Sequence, residues 1–309
     1  MNTRLAFPVP SSAHKQRLED FLFDRFGGLS KMYLRELVQE EKCEVNGRNE
    51  NIGYRLRADD FLEIELDETR ENAMRPENVE LDIVFEDAEI MVINKPAGML
   101  VHPTHRDKSG TLLNALTFYL NRKVLTGGNT IGKECAPGKA RDCTLPTGRV
   151  SAIRPGLIHR LDKQTSGLIV VAKTARCHRI LASQFQKKLV QKLYIALVEG
   201  IVQHDEGLVN GEIGRFADEK RWGLKADGKP SETKFRVLER YVDSTLLELE
   251  PVTGRTNQLR IHCASIGHPI VGDVSRGGRE FERLCLHAAY LGFKHPISGD
   301  PLEFLIRKL

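Results

Sequence analysis

The stretch RPGLIHRLDKQTSGLIVVAKT, residues 154–174, decides how this chain is read. Its second half, SGLIVVAKT, reads as a short buried strand, and its first half places Asp162 in a polar loop just before that strand. His159, Arg160 and Lys163 surround the aspartate. A carboxylate among bases stays ionised well below neutral pH, which suits a nucleophile or a general base. An isolated aspartate in such a setting more often closes a structural ion pair, so the loop by itself leaves both readings open.

Outward from this strand the pattern is β-rich. LDIVFED and EIMVINKPAG upstream read as paired strands ending in a Pro-Gly turn, and TARCHRILASQFQKK downstream reads as an amphipathic helix with a basic face. KLYIALVEG, SETKFRVLERY and STLLELEP follow as strands, and GRTNQLRIHCASIG as a helix that ends at Gly267. Strands without regular βαβ alternation predict an α+β fold for residues 81–309 rather than a doubly wound one. The Gly-, Lys- and Pro-rich residues 121–153 read as a long surface-loop insertion.

Residues 14–66 form a separate small α+β unit in this reading. Leu18, Phe21 and Leu22 have helical spacing, and Tyr33, Leu34 and Leu37 repeat it after a Gly-Gly break. CEVNGRNENIGYRL carries a turn at Asn46-Gly47, and DFLEIEL alternates as a half-buried strand. Residues 67–80 are polar and aperiodic, as a linker would be.

Composition bounds the function. The chain has 309 residues, of which 40% are hydrophobic and 28% charged, as in ordinary globular proteins. No run approaches the roughly 20 apolar residues of a membrane helix, and the N-terminus lacks a secretory pattern, so a cytoplasmic protein is expected. The six cysteines are scattered without a CxxC pair and read as reduced thiols; Cys135 and Cys143 have no second ligand pair beside them, so no metal site is expected. The net charge is +4, but residues 121–200 hold fifteen bases against four acids, and the remainder is net negative. That asymmetry suits a polyanion such as RNA, because neutralised phosphates release their counterions. There is no Walker phosphate loop, dinucleotide fingerprint, HExxH, deaminase cysteine pair or GxSxG serine. What remains is a carboxylate enzyme acting on RNA without a cofactor.

The string HRLDKQTSG, 159–167, closely resembles the catalytic motif of the RluA family of pseudouridine synthases. NKPAGMLVHP (94–103) precedes it, and LYIALVEG (193–200), GKPSETKFRVLE and TGRTNQLRIH follow in the family's order. The resemblance covers about residues 81–309. It implies a mixed, mainly antiparallel sheet with flanking helices and a central cleft, and the isomerisation of uridine to pseudouridine in structured RNA. It implies Asp162 as the catalytic aspartate, Tyr194 as the ring packed on the target base, and Arg260 as the arginine paired with Asp162. Arg160 and His159 would hold RNA. Where the family usually reads GRTHQ this chain has Asn257, which implies altered loop support or an altered RNA contact. The first unit resembles the RNA-binding module named after ribosomal protein S-four, whose second helix would present Lys31 and Arg35 to phosphates. That pairing of modules is most similar to enzymes acting on large-subunit ribosomal RNA. Transfer RNA is the alternative substrate, and a non-catalytic RNA-binding factor is the alternative class. A monomer is expected. A nuclease or glycosidase would need paired carboxylates or a metal cluster, and Asp162 has no acidic neighbour in its motif.

Overall fold

A computed structural model describes residues 2–26, 29, 31–67, 75–104, 106–125, 154–216 and 221–307. The chain divides into two compact units: residues 1–80 with 102–155, and residues 81–101 with 156–309.

The first unit contains β1 (Asn2–Pro8), α1 (Leu18–Arg25), α2 (Lys31–Gln39), β2 (Cys43–Val45), β3 (Arg48–Asn49), β4 (Phe61–Asp67) and α3 (Leu112–Leu125). Its sheet runs in the order β1-β4-β2-β3, antiparallel throughout. Leu62, Ile64 and Leu66 alternate inward along β4 and meet Leu18, Leu22, Leu34 and Leu37 from the two helices. The β2–β3 turn uses Asn46 and Gly47, both at positive φ, as a two-residue hairpin favours.

Three boundaries differ from the sequence reading. The first unit begins at residue 2 rather than 14, because β1 pairs with β4 along its whole length, a long-range pairing no local pattern announces. Within the expected linker 67–80, residues 68–74 lie outside the described residues. Residues 75–77 are tied down: Asn114 donates to the Arg75 carbonyl at 2.8 Å, and the Glu77 carboxylate accepts from the Gly110 amide at 2.7 Å. The expected loop 121–153 starts too early, since α3 runs to Leu125 and Asn121 is buried, its amide donating to the Thr117 carbonyl. Residues 126–153 lie outside the described residues.

The second unit contains β5 (Ile83–Glu86), β6 (Ile90–Lys95), β7 (Gly156–Leu157), β8 (Ser166–Ala172), α4 (Ala175–Gln186), β9 (Gln191–Glu199), β10 (Glu206–Phe216), β11 (Arg221–Leu224), β12 (Lys229–Arg240), β13 (Ser244–Pro251), α5 (Gln258–Ser265), β14 (Leu286–Lys294) and β15 (Pro301–Leu305). They form one sheet in the order β11-β10-β12-β13-β9-β14-β8-β6-β5, with β15 beside β14 and β7 beside β8. Every pairing is antiparallel except β14 with β8, so the fold is the α+β, mainly antiparallel arrangement expected. β8 is buried at every residue, which is why it reads as an unbroken apolar run. Gly167 sits where β14 crosses it, at φ +116°, and a Cβ there would stand 2.4 Å from the Ala288 carbonyl oxygen, so only glycine fits. Thr174 caps α4 by accepting from the Cys177 amide at 3.2 Å. Among the described residues no helix is long and apolar enough to cross a membrane.

Candidate active site

Asp162 lies in the loop between β7 and β8, half-buried, and the protein fixes its backbone from three directions. The Thr165 amide donates to the Asp162 carbonyl at 3.1 Å, closing a turn, and the Gly98 amide donates to the Lys163 carbonyl at 2.8 Å. Ahead of the aspartate, His159 Nε2 accepts from the Val170 amide at 3.1 Å while its ring stacks on Phe185 at 4.7 Å. Leu161, 4% exposed, pins the loop between them. Among the described residues the Asp162 carboxylate itself has no hydrogen-bond donor within reach. The loop is thus held rigidly by everything except the group that could react.

Beside it the sequence reading missed Lys95. This lysine is completely buried at the end of β6, and its ammonium donates to the carbonyls of Pro96 at 2.7 Å, Met99 at 2.8 Å and Lys163 at 3.4 Å. Burial lowers its pKa to about 8, opposed by the charge of Asp162. It ties the turn after β6 to the residue next to Asp162. The available signal was a lysine closing an otherwise apolar strand.

A cleft of about 690 Å³ opens over this loop, lined among others by Asp162, Arg160, Tyr194, Lys192, Asn257 and Arg260. Tyr194 stands on β9 opposite Leu249 and Ala288, packed on the core that includes Leu247, Leu249 and Leu286. Burial, followed by the negative charge of Asp162, pushes its phenol above the usual range, so it stays protonated. Arg160 is exposed at the rim.

Arg260 reaches the cleft from α5. Gln258 and His262 anchor that helix on its opposite side: Gln258 donates to the Glu232 carbonyl at 2.8 Å, and His262 meets Ser231 and Thr233 hydroxyls at 2.8 and 2.9 Å. The expected pairing of Arg260 with Asp162 is corrected by the geometry. Its fork grips Asp273 instead, Nε to Oδ2 and Nη2 to Oδ1, each at 2.7 Å. Asp273 is 1% exposed on its side chain and accepts from Ser275 as well, and a buried carboxylate takes the strongest donor within reach. Burial alone would raise the Asp273 carboxyl, yet hydrogen bonds from Arg260 and Ser275 hold it below the usual range. Toward Asp162, Arg260 keeps only the longer-range attraction. Asp273 carried no signal in the sequence, because its partner lies thirteen residues away across a loop.

Asn257 has a structural use. It occupies the left-handed region at φ 55°, ψ 22°, which asparagine tolerates well, and its side-chain oxygen accepts from Arg260 Nη1 at 3.3 Å. In the first unit, Arg35 is engaged rather than free, since its guanidinium holds Glu19 at 2.6 Å. The side chain of Lys31 lies outside the described residues. No cluster of metal-ligating side chains occurs among the described residues.

His159 yields a pH prediction. Burial, and then the nearby Lys192 charge, lower its pKa to about 3, so the folded protein keeps it neutral where an unfolded chain would protonate it near 6.5. The unfolded state therefore binds the extra proton between those values, and stability falls as pH drops from about 6.5 toward 3. By pH 5 the loss from this one group is about 1–2 kcal/mol. Melting temperatures at pH 7.5 and 5.0 should drop further for the wild type than for His159→Gln. Equal drops in both proteins would assign the imidazole no such linkage.

Fold and site together describe an α+β protein whose cleft sets Asp162 and Glu250 among the bases Arg160, Lys188, Lys192, Arg255 and Arg260. Residues 89–265 match the model of the RNA pseudouridylate synthase family. The chain is 35% identical to the uncharacterized RNA pseudouridine synthase YlyB of Bacillus subtilis, over 94% of this chain and 89% of that protein. It is 33% identical to ribosomal large subunit pseudouridine synthase D of Pasteurella multocida, covering 97% and 90% of the two chains. The solved structure of human RNA pseudouridylate synthase domain containing 1 superposes with a TM-score of 0.54 at 26% identity, over 78% of this chain and 86% of that one. The chain belongs to the RNA pseudouridylate synthase family, and it is an enzyme that isomerises uridine in RNA.

Proposed function

We propose that this enzyme converts specific uridines of large-subunit ribosomal RNA to pseudouridine, with Asp162 as the reacting carboxylate. The observation that carries the residue assignment is the Asp162 carboxylate itself: among the described residues no hydrogen bond satisfies it, yet its loop is clamped and it lines the cleft. Several relatives bear the name ribosomal large subunit pseudouridine synthase D, and this supports the choice of RNA.

The reaction breaks the N1–C1′ bond, turns the base, joins C1′ to C5, releases the C5 proton and returns one to N1. Atoms and electrons balance without any other reactant. A stacked uridine is out of reach, so it is extruded at a cost of a few kcal/mol. Tyr194, backed by the core, offers a face that replaces part of the lost stacking. Asp162 acts on the sugar or base held against that face. Arg260, fixed by Asp273 and Asn257, supplies positive charge that is already oriented before substrate enters. Arg160 at the rim, and Lys31 and Arg35 of the S-four-like module, would meet phosphates, Arg35 by exchanging Glu19 for the RNA.

If the ring packs on the base, Tyr194→Ala should lower kcat/KM by about 5–150-fold, the worth of one base–aromatic stack, and Tyr194→Phe by much less. Single-turnover assays on one RNA check the order of the two variants; Phe as damaging as Ala would move the role to the hydroxyl. The substrate assignment is tested by mapping pseudouridine in a deletion strain. Loss confined to large-subunit ribosomal RNA is expected, and loss confined to transfer RNA would replace that target.

A further inference from the structure

Arg276 ends the short turn Val274–Arg276, and its side chain is only 16% exposed. Burying a guanidinium is costly unless it is well paired and hydrogen-bonded. Arg276 is poorly paired. Its Nε stands 3.9 Å from Asp273 Oδ2 and has no hydrogen-bond acceptor among the described residues, while Nη2 donates to the Trp222 carbonyl of β11 at 3.0 Å. The Asp273 oxygens are already taken by Arg260 and Ser275. Stability does not explain this arginine.

We propose that Arg276 is a positioning residue for the isomerisation, held behind Asp273 so that the Arg260–Asp273 pair presents a net positive charge toward Asp162. This inference rests on Asp162 being the reacting carboxylate. Arg260 and Asp273 alone would neutralise each other, and a neutral pair attracts a third charge only weakly. Two guanidiniums around one buried carboxylate leave a surplus of one positive charge, and Asp162, which lines the same cleft as Arg260 and accepts no hydrogen bond on its carboxylate among the described residues, lies within its field. Burial and the like charges of Arg260 and, more weakly, Arg221 lower the pKa of Arg276, while Asp273 and Asp162 oppose the shift. A guanidinium so perturbed is still charged at neutral pH. The tether to Trp222 also fixes the cluster against the β10–β11 hairpin.

The test compares Arg276→Gln, Arg276→Lys and Asp162→Asn with wild type on one RNA, reading kcat, KM and melting temperature. Arg276→Gln should lower kcat by about 10–50-fold with KM changed less than about threefold, and Arg276→Lys should recover most of kcat because it restores the charge. Gln retaining wild-type kcat would overturn the proposal. So would Lys and Gln being equally impaired, or a change in KM alone, which would make Arg276 an RNA contact. If Gln fails to fold, Lys alone decides, since the proposal requires it to stay within about fivefold of wild type. An active Asp162→Asn would instead sink the Asp162 assignment, whatever Arg276 does.

Discussion

Asp162→Asn should abolish pseudouridine formation while the protein still folds and still holds RNA. Among the described residues the two carboxyl oxygens accept no hydrogen bond, since the loop is clamped through the Lys163 carbonyl, the Asp162 carbonyl and His159 rather than through the side chain. An isosteric amide keeps these clamps and loses the attraction to the buried Lys95 ammonium, a change of about 1 kcal/mol. Its effect on the reaction is of another order. An amide is neither a base nor a useful nucleophile, and if Asp162 is the reacting carboxylate its loss removes at least about 4 kcal/mol of transition-state stabilisation, about a thousandfold in rate. Release of tritium from C5 of labelled uridine in RNA measures the first effect, and filter binding of the same RNA the second. Turnover within tenfold of wild type would remove Asp162 from the reaction.

Arg260→Lys should be nearly as damaging, although the charge is kept. Arg260 makes four contacts in a fixed plane: two to Asp273, one to Ser275 at 3.1 Å and one to Asn257. An ammonium cannot reproduce the parallel pair of bonds, and it is a more strongly hydrated point charge. Asp273, 1% exposed, would then keep only Ser275 and a distant Arg276. Removing a buried carboxylate's partner outright costs about 3–5 kcal/mol, so lysine should forfeit a good part of that. We expect a melting temperature lower by several degrees and kcat lower by about 100-fold, the guanidinium no longer being aimed into the cleft. A variant with wild-type kcat and only reduced stability would confine Arg260 to a structural role.

How legible each part was follows from where its information is stored. The strands around Asp162 and the helix α5, which closes at Ser265 rather than at the expected Gly267, were readable because burial imposes a period or an apolar run on consecutive residues. β1, β10, β11, β14 and β15 were not anticipated. Their patterns are short or mixed, and their partners lie far along the chain, as β1 with β4 and β15 with β14. Likewise α3 was partly taken for loop, because Asn121, Arg122 and Lys123 hide a helix end whose buried amide caps a turn inside the unit.

The sequence alone determined the chemistry's vocabulary: a lone aspartate before a buried strand, a tyrosine and an arginine in strings of fixed order, and a basic middle segment. Those features are local, and the order of motifs along the chain preserves them. Only the tertiary structure decided who pairs with whom. It gave the Arg260 fork to Asp273, buried Lys95 against the Asp162 loop, made Asn257 a support for Arg260, and set Arg276 behind the pair. Pairing of charges depends on distance and on exclusion of water, and both are fixed by segments that meet only when the sheet has closed.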